Sequence, residues 1–348
     1  MGRGELYHRL IPHRTWSVAI PKRIIFKYPL IVTHSGSGHA WGGEEFWLVS
    51  GLAAAGRTRT IFNATELVIE AFTQRLRDAY TNNFGGQHSD YPEVLAWAGR
   101  MALERIADSD ALYHDAEHTL LVTLVGQEIL RGRHIRDGGV TPDDWLHFVL
   151  ALMCHDIGYV RGVCNGDRAG EYVIDAAGNT IEAPTGASDA FLTPHHVERG
   201  KIFVRERFGS LSIFDTERVC RALELTRFPV PDETDSKDTE GMAGLVRAAD
   251  LIGQLADPNY LRKINRLFAE FEETGANAQL GYSNPAELAA GYPAFFWGAV
   301  HPFIKDGLGY LQVTQGGKQW IANLYAQLFA TEHQACTLGP DRGNGHSK

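Results

Sequence analysis

The chain is poor in cysteine, in excess positive charge and in unbroken apolar runs. Its four cysteines, Cys154, Cys164, Cys220 and Cys336, are too few and too scattered in 348 residues for a disulfide framework or a cysteine-based zinc module, and they fit a reducing cytoplasm. The most apolar early stretch, Ile24 to Val32, is broken by Lys27 and Pro29 and falls far short of the roughly 20 residues that cross a bilayer. Pro21, Lys22 and Arg23 likewise interrupt the apolar segment that a secretory signal needs. Lys and Arg number 33 against 42 Asp and Glu, a formal charge of −9, so no global field draws a nucleic-acid duplex to this surface. A cytoplasmic protein with neither membrane nor duplex partners is expected, its oligomeric state left open by the sequence.

What is present is core-forming material, 44% of the residues, arranged mostly in helical periods. Residues 1–60 mix Gly, His, Arg and Trp without a sustained period and read as a flexible or accessory leader. The basic run from Arg3 to Lys27 leaves organelle targeting as the lesser alternative. From 61 to 335 amphipathic helices with ordinary caps follow one another, predicting an all-α bundle, and 336–348 reads as a disordered tail. Asp108-Ser109-Asp110 offers a cap for a first motif helix whose apolar face, Leu120, Leu121, Leu124 and Val125, runs to a stop at Gly132. Thr141-Pro142 opens a second helix that runs into Cys154-His155-Asp156. Between 161 and 192 the helical period gives way to Gly, Asn and Asp, with Glu171–Ile174 and Thr180–Glu182 flanking a Gly-Asn turn, which predicts a hairpin or lid insertion. Thr193-Pro194 repeats the cap signal, and two further helices carry Thr226 and Ala248-Ala249-Asp250.

Of the 15 histidines, His114 and His118 are four apart and, on one helix, would project from one face. By itself such a pair is as compatible with surface polarity as with a site. His155-Asp156 closes an otherwise apolar helix, where burying an ionisable pair is costly without a compensating cation; an imidazolium at the helix C-terminus is the plain alternative. Asp250 stands among the core-like Leu245, Val246, Leu251 and Ile252. Two imidazoles with two carboxylates make a donor set suited to zinc, manganese or iron, and to magnesium at an adjoining oxygen-rich position.

Tyr113-His114-Asp115-Ala116-Glu117-His118, then His155-Asp156, then Ala249-Asp250-Leu251, resembles in order and spacing the signature of the HD-domain metal-dependent phosphohydrolases. The opening Tyr-His is similar to the cyclic-nucleotide phosphodiesterase branch. His155-Asp156-Ile157-Gly158 resembles the HD-GYP relatives, and the paired His195-His196 before Gly200 resembles the paired-His segment that both branches share. The likeness spans about Leu112 to Asp257. It implies an HD-domain-like bundle in which His118, His155, Asp156 and Asp250 hold a first divalent ion, with Asp156 bridging to a second. His114 is then free to donate a proton, and His196 and Thr226, supported by His195, line the second-ion or substrate side. Tyr159 stands where the phosphodiesterases have a further His, the acid preceding their paired His is replaced around Thr193, and a later His-His-Glu run is missing, which leaves the count at one or two ions.

The expected activity is hydrolysis of a small phosphate ester, a phosphodiester such as a 3′,5′-cyclic nucleotide, by a metal-activated hydroxide with His114 as general acid. A nucleotide phosphomonoesterase and a catalytically silent metal-dependent sensor or scaffold are the alternatives. Asp115 or Glu117 is a candidate to orient His114. Phe295-Phe296-Trp297 and Gln312 are candidates for a base pocket, against ordinary core packing.

Overall fold

The computed structural model describes residues 63–333, and the leader expected over 1–60 and the tail over 336–348 lie outside the described residues. Caps decide where the helices begin. Asn63 accepts from the backbone N–H groups of Thr65 and Glu66 to open α1 (Ala64–Phe84), and α2 (Tyr91–Ile106) starts with a proline in its first turn. In α4 (Pro142–Cys154) Thr141 and Asp144 form a reciprocal capping box, as the Thr-Pro-Asp-Asp run foretells. Asp215 caps α6 (Thr216–Leu225), with Thr226 at its C-terminal end.

Both ends of the first motif helix differ from the sequence expectation. α3 (Ala116–Asp137) begins at the cap residue Asp115, not after Asp108-Ser109-Asp110, because Asp115 accepts the His118 N–H at 3.0 Å and leaves 109–115 as an irregular approach. The helix also runs through Gly132 to Gly138, whose φ of 70° ends it. Gly132 is not a stop; a Cβ there would collide with the Tyr310 carbonyl, so it marks a close approach by α11 (His301–Leu311).

The remaining elements are α5 (His196–Phe208), α7 (Met242–Leu255), α8 (Tyr260–Thr274), α9 (Ala276–Leu280), α10 (Pro285–Phe295) and α12 (Gln315–Glu332). The fold is all-α. Among the described residues a small sheet pairs β1 (Glu171–Val173) antiparallel with β2 (Thr180–Glu182), the hairpin expected within the insertion. α3, α4 and α7 pack against one another at the centre, with α11 beyond α3 and α7 and with α5 and α6 on the other side. α4 is buried along almost its whole length, including Trp145, Leu146, Val149, Leu150 and Leu152, which accounts for its nearly unbroken apolar sequence. The small residues of α7 let it lie tightly on α3: an added Cβ on Gly253 would reach 2.7 Å from the Val122 Cα. No helix among the described residues is long and apolar enough to cross a membrane.

Candidate metal centre

Three packed helices bring the carboxylates and imidazoles together. The Asp115 cap sets the first turn of α3 and with it His118, His155 is the C-terminal cap residue of α4, and Asp250 lies two turns into α7. One donor atom from each of His118, His155 and Asp250 lies within 4.8 Å of the others. The Nε2 atoms of His118 and His155 are 3.2 Å apart, Asp156 Oδ2 is 3.2 and 3.0 Å from them, and Asp250 Oδ1 is 3.4 and 3.5 Å from them. Bonds of about 2.0–2.2 Å at tetrahedral or octahedral angles would separate neighbouring donors by about 2.9–3.5 Å, the spacing found here.

The hydrogen bonding points the same way. His155 Nδ1 donates to the Leu152 carbonyl at 2.8 Å, so in the neutral ring Nε2 carries a lone pair facing two carboxylates. Asp156 Oδ2 is buried and accepts no hydrogen bond. Four acceptor atoms in so small a space require a cation, either a proton or a metal. The donor set, the spacing and the orphaned carboxylate oxygen fit a divalent ion.

When the proton is that cation, the charges lock together. Burial would lower the pKa values of His118 and His155, but Asp156 and Asp250 outweigh it and raise both, His155 well above the ordinary value. Burial would raise the carboxylates, but the same imidazoles hold Asp156 well below the usual range and Asp250 at about 2. A metal must therefore displace tightly held protons, and its apparent affinity falls as pH drops. With ordinary histidines the affinity would level off a little above pH 6.5. Here competition titrations with zinc are expected to show affinity still climbing between pH 7 and 8, and a plateau from pH 7 would contradict the raised imidazoles.

His114 stands beside this cluster without joining it. It precedes the α3 cap, so it is not one helical turn from His118 as the four-residue spacing implied, yet the two rings are edge to face with centroids 5.6 Å apart. Its Nδ1 donates to Glu270 Oε2 at 2.6 Å, and Glu270 Oε1 accepts the Tyr113 N–H at 2.6 Å and the His114 N–H at 3.3 Å. Glu270, buried on α8, therefore holds both the ring and its backbone. Burial would depress the His114 pKa, but the Glu270 charge and hydrogen bond raise it to about 9. The orienting acid is thus neither Asp115, which caps α3, nor Glu117, which pairs with Lys263 at 2.8 Å. Glu270 is 156 residues from His114, and nothing in the sequence around it sets it apart from any acid on an amphipathic helix.

His114 stacks on Tyr159 with centroids 4.6 Å apart, and Tyr159 stacks at the same distance on His196. His196 Nδ1 donates to the Thr193 carbonyl at 2.6 Å, and burial lowers its pKa, so the neutral ring turns the lone pair of Nε2 toward Asp156 Oδ1, 4.0 Å away. Asp156 thus presents one oxygen to the His118–His155 pair and the other toward His196. His114 and His196 are 16% exposed and Asp250 17%, against 1–6% for His118, His155 and Asp156, so solvent reaches the cluster from the side of these three.

A protein-family model, Npun_R2479-like, matches residues 62–334. The chain belongs to this family. No curated protein and no solved structure matches it.

The other predicted site residues of this Npun_R2479-like chain divide sharply. Thr226 is buried at the end of α6 and its hydroxyl donates to the Leu223 carbonyl at 2.8 Å. That end of α6 approaches the cluster, since a Cβ on Gly200 would touch Leu223 together with the Cys154 and His155 carbonyls. His195 ends a 3₁₀ segment (Asp189–His195) that replaces the Thr193 cap, because the Thr193 hydroxyl donates back to the Ala190 carbonyl; burial lowers the His195 pKa. Gln312 is not brought to the site. It is exposed after α11, between Tyr310, which lies on Gly132, and Thr314, which donates to Glu128. Gly132 is 14 residues beyond His118, about 20 Å along α3 at 1.5 Å per residue, so Gln312 belongs to the far end of the bundle. Phe296 is core and Trp297 exposed. The aromatic pattern reflected packing.

The turn between Asp156 and Tyr159 depends on Gly158. A Cβ at Gly158 would overlap the His196 carbonyl and come within 2.7 Å of Gly200 N. Gly158→Ala is expected to cost about 1–3 kcal/mol by overpacking. Urea denaturation measures it, and an unchanged midpoint would mean that the two segments are not in contact.

Proposed function

We propose that this chain hydrolyses phosphate esters, with His118, His155, Asp156 and Asp250 holding a divalent ion and His114 donating a proton to the leaving group. A phosphodiester, such as a 3′,5′-cyclic nucleotide, is the proposed substrate class. The observation that carries the reading is the protonated, non-ligating His114, held by Glu270 at the edge of a cluster that itself needs a cation. A closed structural ion would have no use for such a neighbour. Bound there, a divalent ion supplies Lewis acidity toward a phosphoryl oxygen and a nucleophilic water near neutral pH.

This chain's own groups do the rest. Glu270 occupies His114 Nδ1, which leaves the Nε2 proton to be delivered to a departing alkoxide. The Tyr159 ring fixes the plane of His114 on one side and that of His196 on the other. His196, neutral, is an acceptor for a second ion, a water or a protonated phosphate oxygen.

Metal analysis followed by assay against bis(p-nitrophenyl) phosphate and a panel of cyclic and linear nucleotides tests the reading. Stoichiometric metal, turnover abolished by chelation, and loss of both metal and turnover in Asp156→Ala are the expected results. Preference for terminal phosphates would shift the assignment to a phosphomonoesterase. Stoichiometric metal without turnover of any ester would instead identify a sensor or scaffold.

A further inference from the structure

A cavity of about 200 Å³ opens between α4, α6 and the first turns of α7. Phe148, Ala222, Ala243 and Val246 give it an apolar floor, and Arg218 and Arg221 stand at its edge. It is separate from the metal cluster, although α4 and α7 contribute to both. Phe148 is seven residues before His155, Ala243 seven before Asp250 and Ala222 four before Thr226, so the cavity continues the same helix faces about 6–10 Å toward their other ends.

Of the two guanidiniums at its edge one has no partner in contact among the described residues, although the Asp215 and Glu217 carboxylates lie near enough to feel its charge. Arg218 pairs with Asp144, but Arg221 makes no ion pair with any described residue. His147, also in the wall, has both ring nitrogens engaged, Nδ1 donating to the Asp143 carbonyl at 2.7 Å and Nε2 accepting the Asp215 N–H at 2.7 Å. The unspent recognition chemistry is therefore one guanidinium above an apolar pocket.

We infer that this cavity is a binding site for a small organic anion, whose sulfonate, carboxylate or phosphate group meets Arg221 while its apolar body lies on Phe148, Ala243 and Val246. At about 20 Å³ per heavy atom the space suits about ten non-hydrogen atoms, the size of a single ring bearing one acidic group. A fork of charge-assisted hydrogen bonds sets the orientation and the apolar floor supplies the burial.

Benzenesulfonate has this size and is a poor ligand for metals. Titrated into the full chain by calorimetry, it is expected to bind at one site. Losing the Arg221 contact is worth about 1.5–3 kcal/mol, so Arg221→Gln should weaken binding about tenfold or more. Ala243→Phe, which fills the floor without removing charge, should do the same, while prior treatment with a chelator should leave the affinity unchanged. Absence of binding at 10 mM, affinity indifferent to both cavity variants, or loss of binding on chelation would each overturn the inference. Because this binding is read without metal or turnover, failure here is distinguishable from failure of the phosphohydrolase reading.

Discussion

His114→Ala is expected to lower kcat/KM by about 10²–10⁴-fold on an ester with an alkoxide leaving group, such as a cyclic nucleotide, while metal content stays at the wild-type level. The separation follows from position. His114 touches Glu270 and Tyr159 and lies at the edge of His118, whereas the donor atoms that need a cation come from His118, His155, Asp156 and Asp250. The loss should depend on the leaving group. A p-nitrophenolate departs without help, so on that ester the same variant should lose less than about tenfold, because general-acid assistance follows Brønsted behaviour. An equal loss on both esters would assign His114 to substrate binding or to support of the fold.

Glu270→Gln provides the complementary readout. With Glu270 in place, the His114 pKa of about 9 keeps the acid form through neutrality and loses it as pH rises past 9. Removing the Glu270 charge removes the strongest of the influences that oppose burial, the Asp156 and Asp250 charges remaining, so the alkaline limb of kcat/KM should move to lower pH. A residue that merely supported the fold would lower the rate without moving the limb.

How much of this was legible in the sequence depended on whether a partner was near in the chain. The capping box at Thr141 and Asp144 and the cap at Asp215 are local, and the helices they open end where His155 and Thr226 are needed. Asp250 could be placed because Leu245, Val246, Ala248, Ala249, Leu251 and Ile252 around it on α7 are small or apolar, the mark of a buried helix face. Local spacing failed for His114, which the sequence put on a helix and Asp115 keeps off it. It also failed for Gly132, where closeness to Tyr310 looks the same in one dimension as a helix stop. Glu270 was invisible because its partners, Tyr113 and His114, lie in the irregular segment ahead of α3, far along the chain.

Arg199 is the clearest such case, and its replacement carries the largest expected cost in stability. In sequence it is one more basic residue in the polar run Glu198-Arg199-Gly200-Lys201, which reads as a solvated helix face. In the fold it is fully buried, and its guanidinium makes five hydrogen bonds: to the carbonyls of Gly158 at 2.7 Å, Val160 at 2.9 Å and Val173 at 2.5 Å, and to both Asp167 oxygens at 3.0 and 2.9 Å. This one side chain ties the insertion, through Asp167 and β1, to the two carbonyls that flank Tyr159. The root of the insertion is a clamp on the turn that places Tyr159 between His114 and His196, rather than a free lid.

Arg199→Met would leave Asp167 as an unpaired buried carboxylate and three carbonyls without donors, a loss of about 3–5 kcal/mol. Arg199→Lys keeps the charge but lacks the planar fork, so it should recover only part of that loss. Arg131→Met, on an exposed arginine paired only with Glu128, should stay within about 0.5 kcal/mol of wild type. Urea denaturation of the three variants separates burial from charge. If Arg199→Met fell as close to wild type as Arg131→Met, the clamp would not be formed in solution. Zinc affinity should fall with stability in Arg199→Met, because the 158–160 turn directly follows His155 and Asp156.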